Sequence, residues 1–255
     1  MAFYLIGLGM NEKSLTAEAL EVLKKCDKIY LENYTVDFPY EKNILEKKYG
    51  FEINELKRES VEDESILSES KNSEVALLVY GDCLSATTHT QLILSCKKQE
   101  IDYKLFHNAS IMTLIAATGL QAYKFGKTAS MPNWKEHTNK PTSFMNYIKQ
   151  NLSIDAHTLL LTDIGLELSD AIKQLEESSK ISKTNIPKKI IVFSNAGNEK
   201  QKIYYDNPGS LRELRIKMPY CIIIPSNLHF IEEEALNEFS LELTNKLKKR
   251  GVIFR

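Results

Sequence analysis

Short apolar runs alternate with stretches of helical periodicity along the first hundred residues. AFYLIGL is followed by SLTAEALEVLKKC, KIYLE by a helical pattern through YEKNILEKKYG, and SEVALLVY by THTQLILSCKK and then DYKLFH. Short runs of branched and aromatic residues suit buried strands, and a parallel neighbour requires a crossover, most often a helix. The pattern therefore predicts βα units around a mostly parallel sheet. In KRESVEDESILSESKNSE, Val61, Ile66 and Leu67 lay a thin apolar stripe on a charged segment, which predicts an exposed helix with a solvated face.

The order changes after HNASIMTLIAATGLQAYKFG, itself a helical pattern. The apolar runs HTLLLTD, KKIIVFSN, QKIYYD and YCIIIP are interspersed with helical patterns at SFMNYIKQN, LELSDAIKQLEES and EEEALNEFSLELTNKLKK. KKIIVFSNAGNEKQKIYYD sets Asn and Gly between two strand-like runs, which predicts an antiparallel hairpin. The chain is thus expected to form two α/β domains. Residues 1–109 make the first, with a mostly parallel sheet, and 110–255 the second, with a mixed sheet. Nothing recurs at a period of ~20 to 50 residues, which excludes a solenoid or propeller.

Composition narrows the class. With 255 residues, 43% hydrophobic and 26% charged, the chain can bury a sizeable core. A net charge of −1 provides no broad cationic field, so no nucleic-acid partner is expected. MAFYLIGLGMNEK has no charged leader before an apolar core and cleavage site, and no run reaches the ~18 apolar residues of a membrane span. A cytoplasmic protein without membrane association is the expectation. Cys26, Cys83, Cys96 and Cys221 form no C-x-x-C pair. His89, His107, His137, His157 and His229 form no H-E-x-x-H motif, so no metal site is expected.

Two glycine motifs fail on spacing. Gly7-Leu8-Gly9 ends the first strand and Glu32 ends the second, as in a dinucleotide site, but Glu12 stands where the third glycine belongs. Gly119 lies too far from Gly126-Lys127-Thr128 for a phosphate loop, and Gly126 reads better as the stop of a helix before a strand. No G-x-S-x-G elbow supports a serine hydrolase. The stretch YGDCLSATTHT is more informative. Asp82 is a carboxylate at the carboxyl end of a buried strand, where open α/β sheets bind ligands, although N-capping the next helix is its alternative role. Asn108-Ala109-Ser110 and Thr162-Asp163 also end strands in polar residues.

YLIGLGMNEKSLTAEALEVLKKCDKIYLENYT, GDCLSATTHTQL, HNASIMTLIAATGLQAYKFGKT, SFMNYIKQNL with HTLLLTDI, and IIIPSNLHFIEEEAL span both halves. In that order they resemble the diphthine synthase family, in the tetrapyrrole-methylase-like class of S-adenosylmethionine methyltransferases. The resemblance implies two α/β domains with the cofactor in the cleft between them, and a homodimer. It implies cofactor contacts at Met10, Asp82, Ser85, Ser110 and Ile111, and in the second domain at Thr162, Ala196 and Tyr220. The chain departs from the family pattern at Cys83, where proline is usual, at Asn195, often arginine, and at Tyr220, commonly histidine.

The reaction implied is repeated methylation of the amino group on the 3-carboxy-3-aminopropyl extension of one histidine in translation elongation factor 2, the protein partner. Such a reaction depends on positioning and desolvation, with Asp82 assigned to cofactor binding and no general base identified. His89, just after the cofactor turn, is placed either near the cleft or on a helix surface. The acidic run Glu62 to Glu74 and the basic tail Lys246 to Arg250 are candidate docking faces for the elongation factor. Alternatives are a methyltransferase of the same fold acting on a tetrapyrrole or ribosomal RNA, and a non-catalytic binding module.

Overall fold

A computed structural model describes residues 1–62 and 65–241. The chain divides into two compact units, Met1–Leu114 and Ile115–Arg255. The expected junction at Ser110 falls just before the last short helix of unit 1.

Unit 1 runs β1 (Ala2–Gly7), α1 (Ala17–Leu23), β2 (Lys28–Glu32), α2 (Lys42–Tyr49), β3 (Asn54–Leu56), α3 (Arg58–Glu62), α4 (Ser65–Glu69), β4 (Val75–Val79), α5 (Thr90–Lys98), β5 (Asp102–Phe106) and α6 (Ile111–Leu114). Its sheet has the order β3-β2-β4-β1-β5, and every pair is parallel. Successive side chains on a strand point to opposite faces, so the apolar runs of β1 and β4 serve two cores. Phe3, Leu5, Val75 and Leu77 pack into one cluster. Ile6, Ala76 and Leu78 pack into the other. Thr16 caps α1 by accepting from Ala19 N (3.2 Å), and α2 stops at left-handed Gly50.

The charged segment after β3 contains α3 and α4, and its apolar stripe is not exposed. Val61, Ile66 and Leu67 are buried in the core, because the stripe is long enough to cover one face of the sheet. β3, a three-residue edge strand, has too short a pattern to be read from sequence.

Unit 2 contains β6 (Ala129–Met131), α7 (Phe144–Ser153), β7 (Thr158–Thr162), α8 (Leu168–Ser182), β8 (Ile190–Ser194), β9 (Lys202–Asp206), α9 (Pro208–Arg212), β10 (Tyr220–Ile224) and α10 (Phe230–Asn237). Its sheet, β6-β7-β10-β8-β9, is mixed: only β6 and β7 are parallel. The expected hairpin is β8–β9, with Ile190 opposite Asp206 and Ser194 opposite Lys202. β8 and β10 are buried at every residue, and Ile190, Val192, Ile222 and Ile224 pack against α7 and α8.

The helical reading through Phe125 does not hold. After α6 the chain makes two 3-10 turns, Ile115–Thr118 and Ala122–Lys124, separated by left-handed Gly119. A Cβ at Gly119 would stand 2.4 Å from Ala235 Cβ, so the break lets α10 approach the backbone. Gly126 does not end a helix; its N–H donates to His157 O (2.9 Å) beside the Phe125–His157 bridge. The predicted helix over 232–249 corresponds to α10 as far as Asn237, and the tail Lys246 to Arg250 lies outside the described residues. No described helix is long and apolar enough to cross a membrane.

Candidate active site

In unit 1 the polar groups gather where β1 and β4 end. Gly9 and Gly81 exchange backbone hydrogen bonds, Gly9 N to Gly81 O at 3.0 Å and Gly81 N to Gly9 O at 2.9 Å. Both are left-handed, with φ of 71° and 75°. They differ in the room around them. A Cβ at Gly9 would lie 2.5 Å from Ser14 Cβ, so that position is closed by packing. A Cβ at Gly81 would meet Met10 Sδ and Ser110 Cβ at 3.6 Å, an ordinary contact distance. Gly81 therefore leaves an opening at least a methyl group wide, walled by Met10 and Ser110, where a ligand can approach backbone. Tyr80 Oη donates to Met10 O (3.2 Å) and holds one wall; Ser110 Oγ accepts from Met112 N (3.2 Å) at the head of α6 and holds the other. Ile111, the first residue of α6, is half-buried.

Asp82 organises the edge. Its Oδ1 accepts from Leu84 N (3.0 Å) and Ser85 Oγ (3.2 Å), and its Oδ2 from His107 Nδ1 (2.8 Å) and Asn108 N (3.1 Å). Four donors occupy the acceptor sites of one carboxylate. Burial opposes its ionisation, but the amides of Leu84 and Asn108 and the ring of His107 outweigh burial and hold its pKa below the usual range. No regular helix starts at Asp82, so the N-cap alternative takes the form of a turn bond to Leu84. Asn108 completes the stitching, donating through Nδ2 to Gly7 O (3.0 Å) and Ser14 O (2.8 Å).

His107 faces Asp82 through Nδ1, at 2.8 Å. Asp82, Cys83 and His107 offer ligand atoms within 4.8 Å of one another. The Cys83 thiol, however, packs in the core with Val79 and Leu92, and burial pushes its pKa up to about 11. That environment suits a core residue and not a metal thiolate.

His89 is not on a helix surface. It is 2% exposed, with Nε2 2.7 Å from Glu32 Oε2 and Nδ1 3.3 Å from Cys83 O. Glu32, which imitates a ribose-binding acid in sequence, is fully buried against His89 and Thr35.

Unit 2 brings its three predicted contacts to one sheet edge. β10 runs antiparallel to β7 and β8, so its first residue, Tyr220, lies beside the last residues of both. Thr162 Oγ1 donates to Tyr220 O (2.9 Å), and Tyr220 Oη donates to Leu166 O (2.7 Å). The Tyr220 ring thus belongs to the core, and what reaches the strand end is backbone. Ala196 is buried, just after left-handed Asn195, whose Nδ2 donates to Ser194 Oγ (2.8 Å) and Lys217 O (3.1 Å).

Sequence reasoning missed His107 and the Glu32–His89 pair. His107 follows β5 directly, and strand order alone brings it opposite Asp82; a lone histidine at a strand end carries no such signal.

A family model for tetrapyrrole (corrin/porphyrin) methylases matches residues 2–214. The chain is 36% identical to diphthine methyl ester synthase of Schizosaccharomyces pombe over 95% of this chain and 96% of that one. It is 38% identical to diphthine synthase of Methanococcus aeolicus over 91% of this chain and 95% of that one. A crystal structure of diphthine synthase superposes with a TM-score of 0.85 at 28% identity, covering 96% of this chain and 99% of that one. The chain belongs to the tetrapyrrole (corrin/porphyrin) methylase family and, within it, to the diphthine synthases.

Proposed function

We propose that this protein uses S-adenosylmethionine to methylate, repeatedly, the amino group of the 3-carboxy-3-aminopropyl extension on one histidine of translation elongation factor 2, a step of diphthamide biosynthesis. The observation that carries the reading is end-to-end similarity to relatives named for diphthine. The opening at Gly81 supports it, because a ligand with polar ends can reach both backbone and the Met10 and Ser110 walls there. When bound, S-adenosylmethionine supplies the electrophilic methyl group. In unit 1 its contacts are Met10, Ser85, Ser110 and Ile111, with Asp82 holding the turn and lending its charge. In unit 2 they are Thr162, Ala196 and Tyr220.

The protein's part in the reaction is to bind, orient and exclude water. Well-oriented proximity removes roughly 7 to 11 kcal/mol of barrier. Sulfonium charge is lost as the amine attacks, so a carboxylate near sulfur stabilises the ground state, which assigns Asp82 to binding rather than to chemistry. We place the protein in the cytoplasm as a homodimer. The word ester in the name of the S. pombe relative favours a further methylation on the carboxylate of the same extension.

The test is intact-mass analysis of elongation factor 2 carrying the unmethylated extension after incubation with this protein and S-adenosylmethionine. Stepwise methyl additions are expected, and a methyl that is lost in alkali identifies an ester. No addition to this acceptor, with cofactor binding intact, refutes the proposed substrate.

A further inference from the structure

Unit 1 buries a contact between a carboxylate and an imidazole. Glu32 ends β2 and His89 precedes α5, and they are 0% and 2% exposed. Glu32 Oε2 is 2.7 Å from His89 Nε2, a close contact that lies off the axis of a straight hydrogen bond. Glu32 Oε1 accepts from Thr35 Oγ1 in the loop after β2. The other ring nitrogen of His89 faces Cys83 O at 3.3 Å. Both ring nitrogens therefore face oxygen atoms, one on Glu32 and one on Cys83. Replacing such a buried polar pair by well-packed apolar residues is often neutral or stabilising, so packing alone does not account for this one.

The reason lies in the turn between Asp82 and His89. Ala86 in that turn has φ of 57°, a left-handed conformation that costs an L-residue energy and persists only when the surroundings impose it. The turn is tied at both ends. Asp82 holds Leu84 N and Ser85 Oγ at one end. At the other, His89 holds the Cys83 carbonyl while itself fixed to Glu32. We propose that Glu32 and His89 are positioning residues that hold the 82–89 turn, and with it Asp82 and Ser85, in the geometry that receives the methyl donor. The inference rests on the cofactor reading above for its functional half, and on Ala86 and the two anchors for its structural half. Both side chains are buried, away from the surface that a cofactor would meet. They act through the Cys83 carbonyl, and the Thr35 contact carries the same constraint to the loop after β2.

The test uses the full chain with Glu32→Met and His89→Leu combined, which replaces the pair by apolar volume, and Glu32→Gln alone, which exchanges one carboxyl oxygen for an amide nitrogen and keeps an acceptor. S-adenosylmethionine binding is measured by calorimetry, donor KM and kcat by turnover, and backbone hydrogen exchange along the chain. The double variant is expected to melt near the wild-type temperature and to bind the donor about tenfold or more weakly, KM rising more than kcat falls. Exchange is expected to quicken in 83–89 while β1 and β4 stay protected. A residue serving stability alone would lower the melting temperature and leave that pattern unmoved. Unchanged donor affinity together with unchanged exchange in 83–89 overturns the proposal. Should the double variant not fold, Glu32→Gln decides: local exchange and donor affinity must both shift in the same direction, and no shift in either overturns it. If the wild-type protein binds no donor, the cofactor reading fails by itself, and the exchange pattern still decides whether the pair holds the turn.

Discussion

Replacing Glu232 by glutamine probes how unit 2 holds its last helix. Glu232 is fully buried, yet its pKa falls from 4.5 to about 2. Burial opposes ionisation, but the amides of Gln121 and His229 and the ring of His157 outweigh it. The shift corresponds to about 3 kcal/mol held by the ionised carboxylate. The geometry explains it: Oε1 accepts from Gln121 N (2.9 Å) and His157 Nε2 (3.0 Å), and Oε2 from His229 N (2.9 Å), closing a capping box on α10. His157 is the neutral partner, since Ser226 N donates to its Nδ1 (2.9 Å). Glutamine keeps one acceptor but turns an amide toward the His229 N–H and the Lys124 ammonium, so donors face donors. Because the folded pKa lies below the unfolded one, the stabilisation is complete above about pH 4.3 and is lost as pH falls toward 2. The chain has one tryptophan, Trp134, in unit 2, so its fluorescence in a urea titration follows that unit. The variant should lose about 3 kcal/mol at neutral pH, and the gap should close as pH drops below about 4. A gap under about 1 kcal/mol at neutral pH, or one that does not change across the acid range, refutes the assignment.

Two further substitutions test the packing and the site. Gly119→Ala combines a left-handed φ of 86° with a Cβ 2.4 Å from Ala235 Cβ, and should destabilise unit 2 by about 3 kcal/mol. Adding Ala235→Gly should recover the packing share, about half, in the same fluorescence assay; no recovery would mean that the backbone conformation carries the whole cost. Asp82→Ala leaves the Leu84 and Asn108 amides without their acceptor and should weaken S-adenosylmethionine binding roughly tenfold, with saturated turnover less affected. Unchanged cofactor affinity by calorimetry would remove Asp82 from the site.

Elements whose signal is local were legible in the sequence. VALLV is buried along its whole length because both of its faces are packed, Val75, Leu77 and Val79 in one cluster and Ala76 and Leu78 in the other, and its run of apolar residues says so directly. The β8–β9 hairpin is written in Asn and Gly between two apolar runs. Features that depend on a distant partner were not legible. The helical periodicity through Phe125 is real, but Gly119 breaks it because Ala235, far along the chain, must pack there. His89 looks like a surface residue at a helix start until Glu32 is folded against it. The bond from the Tyr220 hydroxyl to Leu166 O, 54 residues back along the chain, has no local signal either.

The site in unit 1 shows why strand order, which the sequence pattern leaves open, decides function. Parallel pairing sends every strand of the sheet out at the same edge. Because β1 lies between β4 and β5, the loops after those three strands meet there, and the chain returns from the β2–β3 side to insert β4 next to β1. That reversal is where an open α/β sheet forms a crevice. Gly9 from the first loop pairs with Gly81 from the second, Asp82 from the second accepts from His107 and Asn108 of the third, and Asn108 returns to Gly7 of the first. Each of the three loops is thus fixed by the other two; neighbours crowd the space beside Gly7 and Gly9, whereas beside Gly81 a methyl-sized space stays free. A different strand order with the same residues would scatter Met10, Asp82 and Ser110, so the polar edge is a property of the topology and the polar strand ends are its precondition.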